Sequence, residues 1–445
     1  MRTGRRRLRA LAAAVTAALI LLAGGWTDRV RTGAHDDPTK EVTIAFWHGW
    51  TSESEQQAVA DNIARFERAH PNIHVDTVGG VTDAQIDTAM LSHGPDSPDV
   101  IASFSPHNVG RRCHSGGWAD LDLFLDEAGI DPDETFPAAL NDDTRVKDDR
   151  CRLPLLSDAF GLYYNKDLFA RAGIKAPPRT MSELIETARR LTVHDGDSYR
   201  RLGIMPTWHT FEWTLARAGA SYGARYFDDS GKAAMSNPRI AQLLADQRQL
   251  VGALGGYAKL EKYRATFGDE FGAHNPFRTG QVAMIFDGEW REGMARSAGV
   301  PFDIGAAPFP VADGQVEDYG KGYLSSTVIG IAGNSPKKNA AWELVKFMAT
   351  DTEAVVSLSN AIHSVPSTYA ALGSPHLRTT DNFDVFIAIA QHPKSSTTPA
   401  APNGGAHRLA LENFAHAYES GRTDDLADGL RAVDRQVERD IARAR

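Results

Sequence analysis

Between Val42 and Ile101 the chain alternates strand and helix, and this constrains its fold more than any other feature. Val42-Thr-Ile-Ala-Phe-Trp47 is a β-branched and aromatic run that suits a strand. Ser52-x-x-Glu55 has the spacing of a capping box, and Val59, Ile63 and Phe66 follow at helical intervals. Pro71 ends that helix. Ile73 to Val78 returns as a strand, Asp83 to Leu91 as a shorter helix, and Pro98-Asp-Val-Ile101 opens a third strand. The order predicts a parallel sheet with helices packed on it. The pattern restarts after Thr180-x-x-Glu183, which caps a helix carrying Leu184, Ile185, Ala188 and Leu191. The strand Gly203-Ile-Met205, a helical region from Pro238 to Leu254 and the strand Val282 to Phe286 with its turn Asp287-Gly288 follow. Helices are expected over Ala340–Met348 and Leu426–Arg443, with a Pro/Ser/Thr/Gly-rich loop over Pro393–Gly405. The fold class is α/β in two lobes, and 445 residues suffice for two cores.

The N-terminus has a different character. Arg2, Arg5, Arg6, Arg7 and Arg9 precede an apolar run from Leu11 to Leu22 and then Ala23-Gly24-Gly25. A basic head, a short apolar stretch and a small-residue exit predict an export signal over 1–25, and the paired arginines also admit a twin-arginine route. Leu21-Leu22-Ala23-Gly24 resembles the run before a lipidated cysteine, but Gly25 occupies the cysteine position, which argues against a lipid anchor. Residues 26–40 are polar and aperiodic and read as a tether. Charge before cleavage is −9, from 48 Lys+Arg and 57 Asp+Glu; losing five arginines gives −14. That sign argues against nucleic acid as a partner. Cys113 and Cys151 are the only thiols, and in an exported chain they are expected to pair.

Most catalytic signatures fail. There is no HExxH and no CxxC. His70 and His74 flank Pro71 in an extended segment, so no helical metal face forms. Gly314 to Gly320-Lys321 has the wrong spacing for a phosphate loop. Ser335-x-x-Lys338 lacks the companion Lys-Thr-Gly of a serine acyl-transfer site. No cofactor or metal is expected. The aromatics carry more information: Trp47 ends the first expected strand, and Trp50, Trp208, Trp213 and Trp290 follow expected strands. Open α/β sheets bind ligands beyond the carboxyl ends of their strands, and flat aromatic faces there suit the C–H faces of sugars. His48, Ser105, Asp158, His209, Glu289, His363 and Arg408 are polar companions at comparable places.

The stretch Pro154-Leu-Leu-Ser-Asp-Ala-Phe-Gly-Leu-Tyr-Tyr-Asn-Lys-Asp-Leu-Phe-Ala-Arg-Ala-Gly173 resembles the family 1 extracellular solute-binding proteins of ABC importers. Ile44–Gly49, Phe66–Ile73, Ser97–Val100, Phe277–Met284, Asp287–Trp290 and Ala341–Met348 extend the resemblance in order along the chain. It implies a type II periplasmic-binding-protein fold with several hinge crossings, near Ser157–Leu162, Tyr323–Ile329 and Pro366. One lobe would comprise 41–157 and 323–366, the other 158–322 and 367–445. It also implies a monomer that captures a sugar and presents it to membrane permease subunits, without catalysis. By resemblance, Trp290 and Trp213 would stack on sugar rings, with Trp208 nearby, and Gly322-Tyr323 would border the ligand. Trp47 and Tyr323 would close from the opposite lobe, while Asp158, Glu289 and Arg408 hold hydroxyls. His363-Ser-Val-Pro366 stands in place of the family's usual Thr-Gly-x-x-Pro. Arg408 resembles an arginine of the glycerol-3-phosphate-binding members, but Ser105 occupies their acidic ligand position. Those binders are the first alternative. A secreted glycoside hydrolase is the second, although Asp287 and Glu289 share one turn and such a pair must span ~5–10 Å across the sugar.

Overall fold

A computed structural model of the chain describes residues 36–37, 39–91, 97–104, 112–113, 115–146, 149–270, 272, 274–399, 401 and 403–444. Residues 1–25, expected from sequence to be an export signal, and Ser105 therefore lie outside the described residues. The first half begins β1 (Val42–Trp47), α1 (Glu53–Ala69), β2 (Ile73–Val78), α2 (Asp83–Leu91) and β3 (Val100–Ser103). Three short helices, α3 (Asp122–Ala128), α4 (Pro132–Thr135) and α5 (Ala138–Asp143), and the hairpin β4 (Arg145–Val146) and β5 (Asp149–Arg150) lead to the long strand β6 (Leu153–Asn165). Next come α6 (Lys166–Arg171), α7 (Met181–Leu191), β7 (Val193–Asp195), β8 (Ser198–Ile204), α8 (Leu215–Tyr222), α9 (Pro238–Ala253) and α10 (Tyr257–Arg264). β9 (Val282–Gly288), α11 (Trp290–Ser297), β10 (Ile304–Ala307) and β11 (Leu324–Ile331) follow. The chain ends with α12 (Lys338–Thr350), α13 (Thr352–Ile362), β12 (Val365–Pro366), α14 (Tyr369–Leu372), α15 (Asp381–Gln391), α16 (Ala406–Glu419) and α17 (Leu426–Ala444).

Local chemistry sets several of these boundaries. Ser52 and Glu55 form the reciprocal capping box expected for α1. Thr180 accepts from Glu183 N to start α7, and Asn237 with Pro238 starts α9. β1 pairs in parallel with β2 and β3, and β8 pairs in parallel with β9. β11, β10 and β12 run antiparallel to β6. The strand order β2-β1-β3-β11-β6-β9-β8-β7 makes a continuous path.

Two main apolar cores lie along that path. Ile44, Phe46, Phe66, Leu153, Leu155, Ile329, Trp342 and Leu344 belong to the first. Phe160, Leu162, Leu184, Leu202, Trp213, Phe286, Leu324 and Phe386 belong to the second. β6 contributes to both: Leu153–Ala159 pairs with β11, and Phe160–Tyr164 pairs with β9. Its near-continuous apolar sequence follows from burial on both faces. Beside this crossover, Ser396 N donates to Gly322 O and Leu324 N to Ser396 O, both at 3.0 Å, so the Pro-rich loop is a strap laid along β11.

Cys113 and Cys151 form a disulfide with a Cα–Cα distance of 6.0 Å. It lies in a small cluster with Trp118, Ile101 and Met90. The segment read as a tether is docked at its end: Asp36 accepts from Asn339 N at 2.7 Å and Ala340 N at 3.1 Å, capping α12 from outside.

Candidate ligand-binding site

A cleft of about 340 Å³ opens at the crossover, where Phe160 and Tyr323 of the second core meet polar residues of β6 and β11. The pleat explains its base. Asp158 and Phe160 are two apart on β6, so both face the cleft, and Ser325 on β11 is in register with Asp158. Tyr323 precedes β11 on the same face, and its hydroxyl lies 3.3 Å from Thr398 Oγ1 on the strap.

The opposite wall comes from three helix starts. β9 ends at Gly288, and Trp290 opens α11. A Cβ at Gly288 would sit 2.3 Å from the indole, so the ring takes this position only over glycine. Thr214 caps α8, which places Arg217 in its first turn. Arg408 lies in the first turn of α16, its Nε 3.6 Å from Glu412 Oε1. Phe160 is the hub: Trp290 meets it edge-on at 5.6 Å, Tyr323 at 5.9 Å, and the Arg217 guanidinium lies 4.1 Å over its ring. Phe104, 48% exposed at the mouth, supplies another aromatic surface and meets Trp50 edge-on.

Asp158 combines burial with an open edge toward the cleft. Burial pushes its carboxyl up to about 7, against the opposing pull of Arg217 and the Ser325 hydroxyl at 3.4 Å. Glu289 lies behind it, 2% exposed, with Oε2 accepting from Ala159 N at 3.0 Å. Burial, then the charge of Asp158, raises Glu289 well above the usual carboxylate range. Asp143 is consumed by structure: Oδ2 accepts from Ser326 N at 2.9 Å and Ser326 Oγ at 2.5 Å, and Oδ1 from Thr397 Oγ1 at 3.0 Å.

Of the residues expected from sequence, Asp158, Trp290, Tyr323 and Arg408 meet at the cleft. Gly322 adjoins it through its backbone, with N bonded to Ser395 Oγ at 3.0 Å. Glu289 backs the site rather than lining it. Trp213 and Trp208 are 1% and 5% exposed in the second core, Trp213 edge-on to Phe309 at 5.0 Å. His209 and Phe211 adopt positive φ, and the chain between them turns both indoles inward. Trp47 lines a separate hollow with Val78, Val81 and Gln85. His363 is the exposed left-handed cap of α13 and is not among the cleft residues. The structure adds Phe160, Arg217 and Phe104, together with His209, which sequence had named only as a companion.

Two catalytic signatures reduce to packing. Gly219-Ala-Ser-Tyr-Gly223 has the spacing of a hydrolase elbow, but Ser221 is wholly buried inside α8, whereas such a nucleophile stands exposed on a strand-to-helix turn. Ser335 Oγ donates to Asp99 Oδ1 at 2.6 Å, which fixes a loop. Among the described residues no group of three or more His, Cys, Asp or Glu side chains could hold a metal ion.

Two α/β cores joined by shared strands, with a ligand-sized cleft at the junction, define a type II periplasmic-binding-protein fold. Residues 49–355 match the bacterial extracellular solute-binding protein model, and the chain belongs to that family. It is 22% identical over 299 residues to a maltotriose-binding protein of Pyrococcus abyssi, covering 67% of this chain and 60% of the relative. It is 28% identical over 330 residues to a probable ABC transporter-binding protein of Deinococcus radiodurans, covering 68% and 72% respectively. Among solved structures, the sugar-binding protein MalE of Xanthomonas citri superposes with a TM-score of 0.70 at 17% identity, over 90% of this chain and 98% of that one.

Proposed function

We propose that this protein is the substrate-binding component of an ABC importer and captures a sugar, a di- or oligosaccharide, between two lobes. The observation that carries the reading is the convergence of Phe160, Trp290 and Tyr323 with the open carboxylate of Asp158 in one cleft of a solute-binding fold. Aromatic faces take the C–H surface of a sugar, and a carboxylate takes its hydroxyls. The sugar-binding relatives in Pyrococcus and Xanthomonas support the same ligand class. In this reading the lobes are 41–157 with 323–366 and 158–322 with 367–445. Sugar docks on one wall and favours closure through contacts that form only when the walls meet. The closed monomer is what permease subunits recognise, after export directed by residues 1–25. Among the described residues no helix is long and apolar enough to cross a membrane.

The ligand leaves unchanged. Asp287 pairs with Arg291 at 2.6 Å and Glu289 is tied to Ala159 N, so the pair on this turn does not offer the two free carboxylates of the hydrolase alternative. A phosphate ester is disfavoured because Arg408 faces Glu412 and Asp158 lines the cleft. A thermal-shift screen against mono-, di- and oligosaccharides and glycerophosphodiesters tests the reading. A ligand confined to the folded state adds ~2.7 kcal/mol at a hundredfold excess over Kd. A shift from one sugar class with no product released is the expected result; a shift from the phosphodiester alone refutes it.

A further inference from the structure

Charge in the cleft goes beyond what a neutral sugar requires. Four guanidiniums lie at or below its walls, and each faces a carboxylate, Arg152 that of the cleft-lining Asp143. Arg217 pairs with Glu212, Arg408 with Glu412 at 3.6 Å, and Arg291 with Asp287 at 2.6 Å. Two carboxylates are then left over. Asp158 lines the cleft and shares Arg217 with Glu212, its hydrogen-bond donor being Ser325 Oγ at 3.4 Å. Glu289 stands directly behind, buried, with Oε2 accepting from Ala159 N at 3.0 Å. Burial raises the proton affinity of both, Glu289 most, so the charge that reaches the cleft is that of ionised Asp158.

The aromatic cluster beside the surplus already hosts one cation. The Arg217 guanidinium lies 4.1 Å from the Phe160 centroid, and Trp290 and Tyr323 flank that ring at 5.6 and 5.9 Å. Ring faces grouped with an uncompensated carboxylate are the chemistry that recognises an organic cation. We propose that the cleft prefers an amine-bearing saccharide, its protonated nitrogen seated on Asp158 beside Phe160, Trp290 and Tyr323, over the neutral sugar of the same linkage. This rests on the sugar-binding reading and narrows its ligand class. A carboxylated or phosphorylated sugar would meet ionised Asp158 and be repelled. The proton affinity that burial gives Asp158 points the same way, because a bound cation offsets the cost of its ionised form.

Isothermal titration of the protein at pH 7 with matched pairs tests this: glucose disaccharides in α-1,4 and β-1,4 linkage, each beside its 2-amino-2-deoxy counterpart. The amine member of the recognised linkage is expected to bind ~10-fold tighter, the scale of one charge-assisted contact. In Asp158→Asn, which keeps the side-chain shape, the ratio of the two affinities is expected to fall to about one. The melting temperature of that variant verifies that it is folded. Equal or tighter binding of the neutral member to the unmutated protein overturns the proposal and leaves the sugar reading standing. Binding by neither member of either pair overturns the proposal, and the sugar reading is then decided by the wider thermal-shift screen. A preference that persists unchanged in folded Asp158→Asn removes Asp158 as its source and overturns the assignment.

Discussion

Replacing Trp290 by alanine separates a binding aromatic from a packing one. The indole is half-buried, with one edge on Phe160 and its position dependent on Gly288. A buried tryptophan contributes ~150–250 Å², and a sugar ring over one face covers roughly a third of that, or ~50–80 Å². At ~25 cal/mol per Å² this amounts to ~1.3–2 kcal/mol, a rise of ~10- to 30-fold in Kd. Trp213 is the internal control, because the resemblance gave it the same role and the structure buries it against Phe309 and Phe286. Trp213→Phe is expected to cost ~1–3 kcal/mol of stability through lost packing while leaving Kd within about twofold. Titration calorimetry with the sugar found by the screen, alongside urea unfolding of each variant, measures both quantities. An unchanged Kd in folded Trp290→Ala, or an equal loss of affinity in folded Trp213→Phe, refutes the assignment of these two indoles.

The remaining expectations concern stability. Opening the Cys113–Cys151 bridge, which closes a separation of 38 residues, by a double serine substitution should cost ~3–4 kcal/mol, read as a lower urea midpoint. Asp36→Ala should remove the outside cap of α12 and cost ~1 kcal/mol, visible as faster amide exchange in the first turn of that helix. Burial raises Asp158 to about 7, Glu270 to about 7, Asp287 to about 6 and Glu419 to about 8. The folded state therefore holds extra protons above the ordinary carboxylate range, and stability is lost as pH rises through these values. His48 and His407, buried and lowered to about 4, act oppositely, but only below the ordinary histidine range. Scanning calorimetry should thus show melting temperature rising by ~2–4 °C as pH falls from 8 to 6.5; a flat or opposite trend contradicts the burial of these groups.

What was legible follows from what one-dimensional patterns encode. Val42–Trp47 and Ile73–Val78 emerged as strands, and Ser52 as a cap, because these depend on neighbours in sequence. Cysteine count and the expectation of export sufficed for the disulfide. The loop after β8 was a different matter. Strand-exit position placed Trp208 and Trp213 near the cleft end of the sheet, but the positive φ of His209 and Phe211 decides where the indoles point. Phe160 was hidden for the opposite reason: in a strand buried on both faces every apolar residue looks like core. Arg217 resembled an ordinary helix residue until Phe160 was found beneath it.

The cleft residues also explain why binding and closure can share one set of strands. A ligand shifts a two-state equilibrium only by contacts that differ between the states. Asp158 and Ser325 are paired where β6 and β11 leave the first core, whereas Trp290, Arg217 and Arg408 stand on helices packed with the second. Phe160, one step past the crossover, touches Trp290 and Arg217 while its strand neighbour Ala159 is held by Glu289. In the proposed reading, a sugar lying against Phe160 would contact both sides of the junction within two residues of the point where β6 passes from one core to the other. In that reading the energetic lever is short, and the strands at the hinge also carry the ligand.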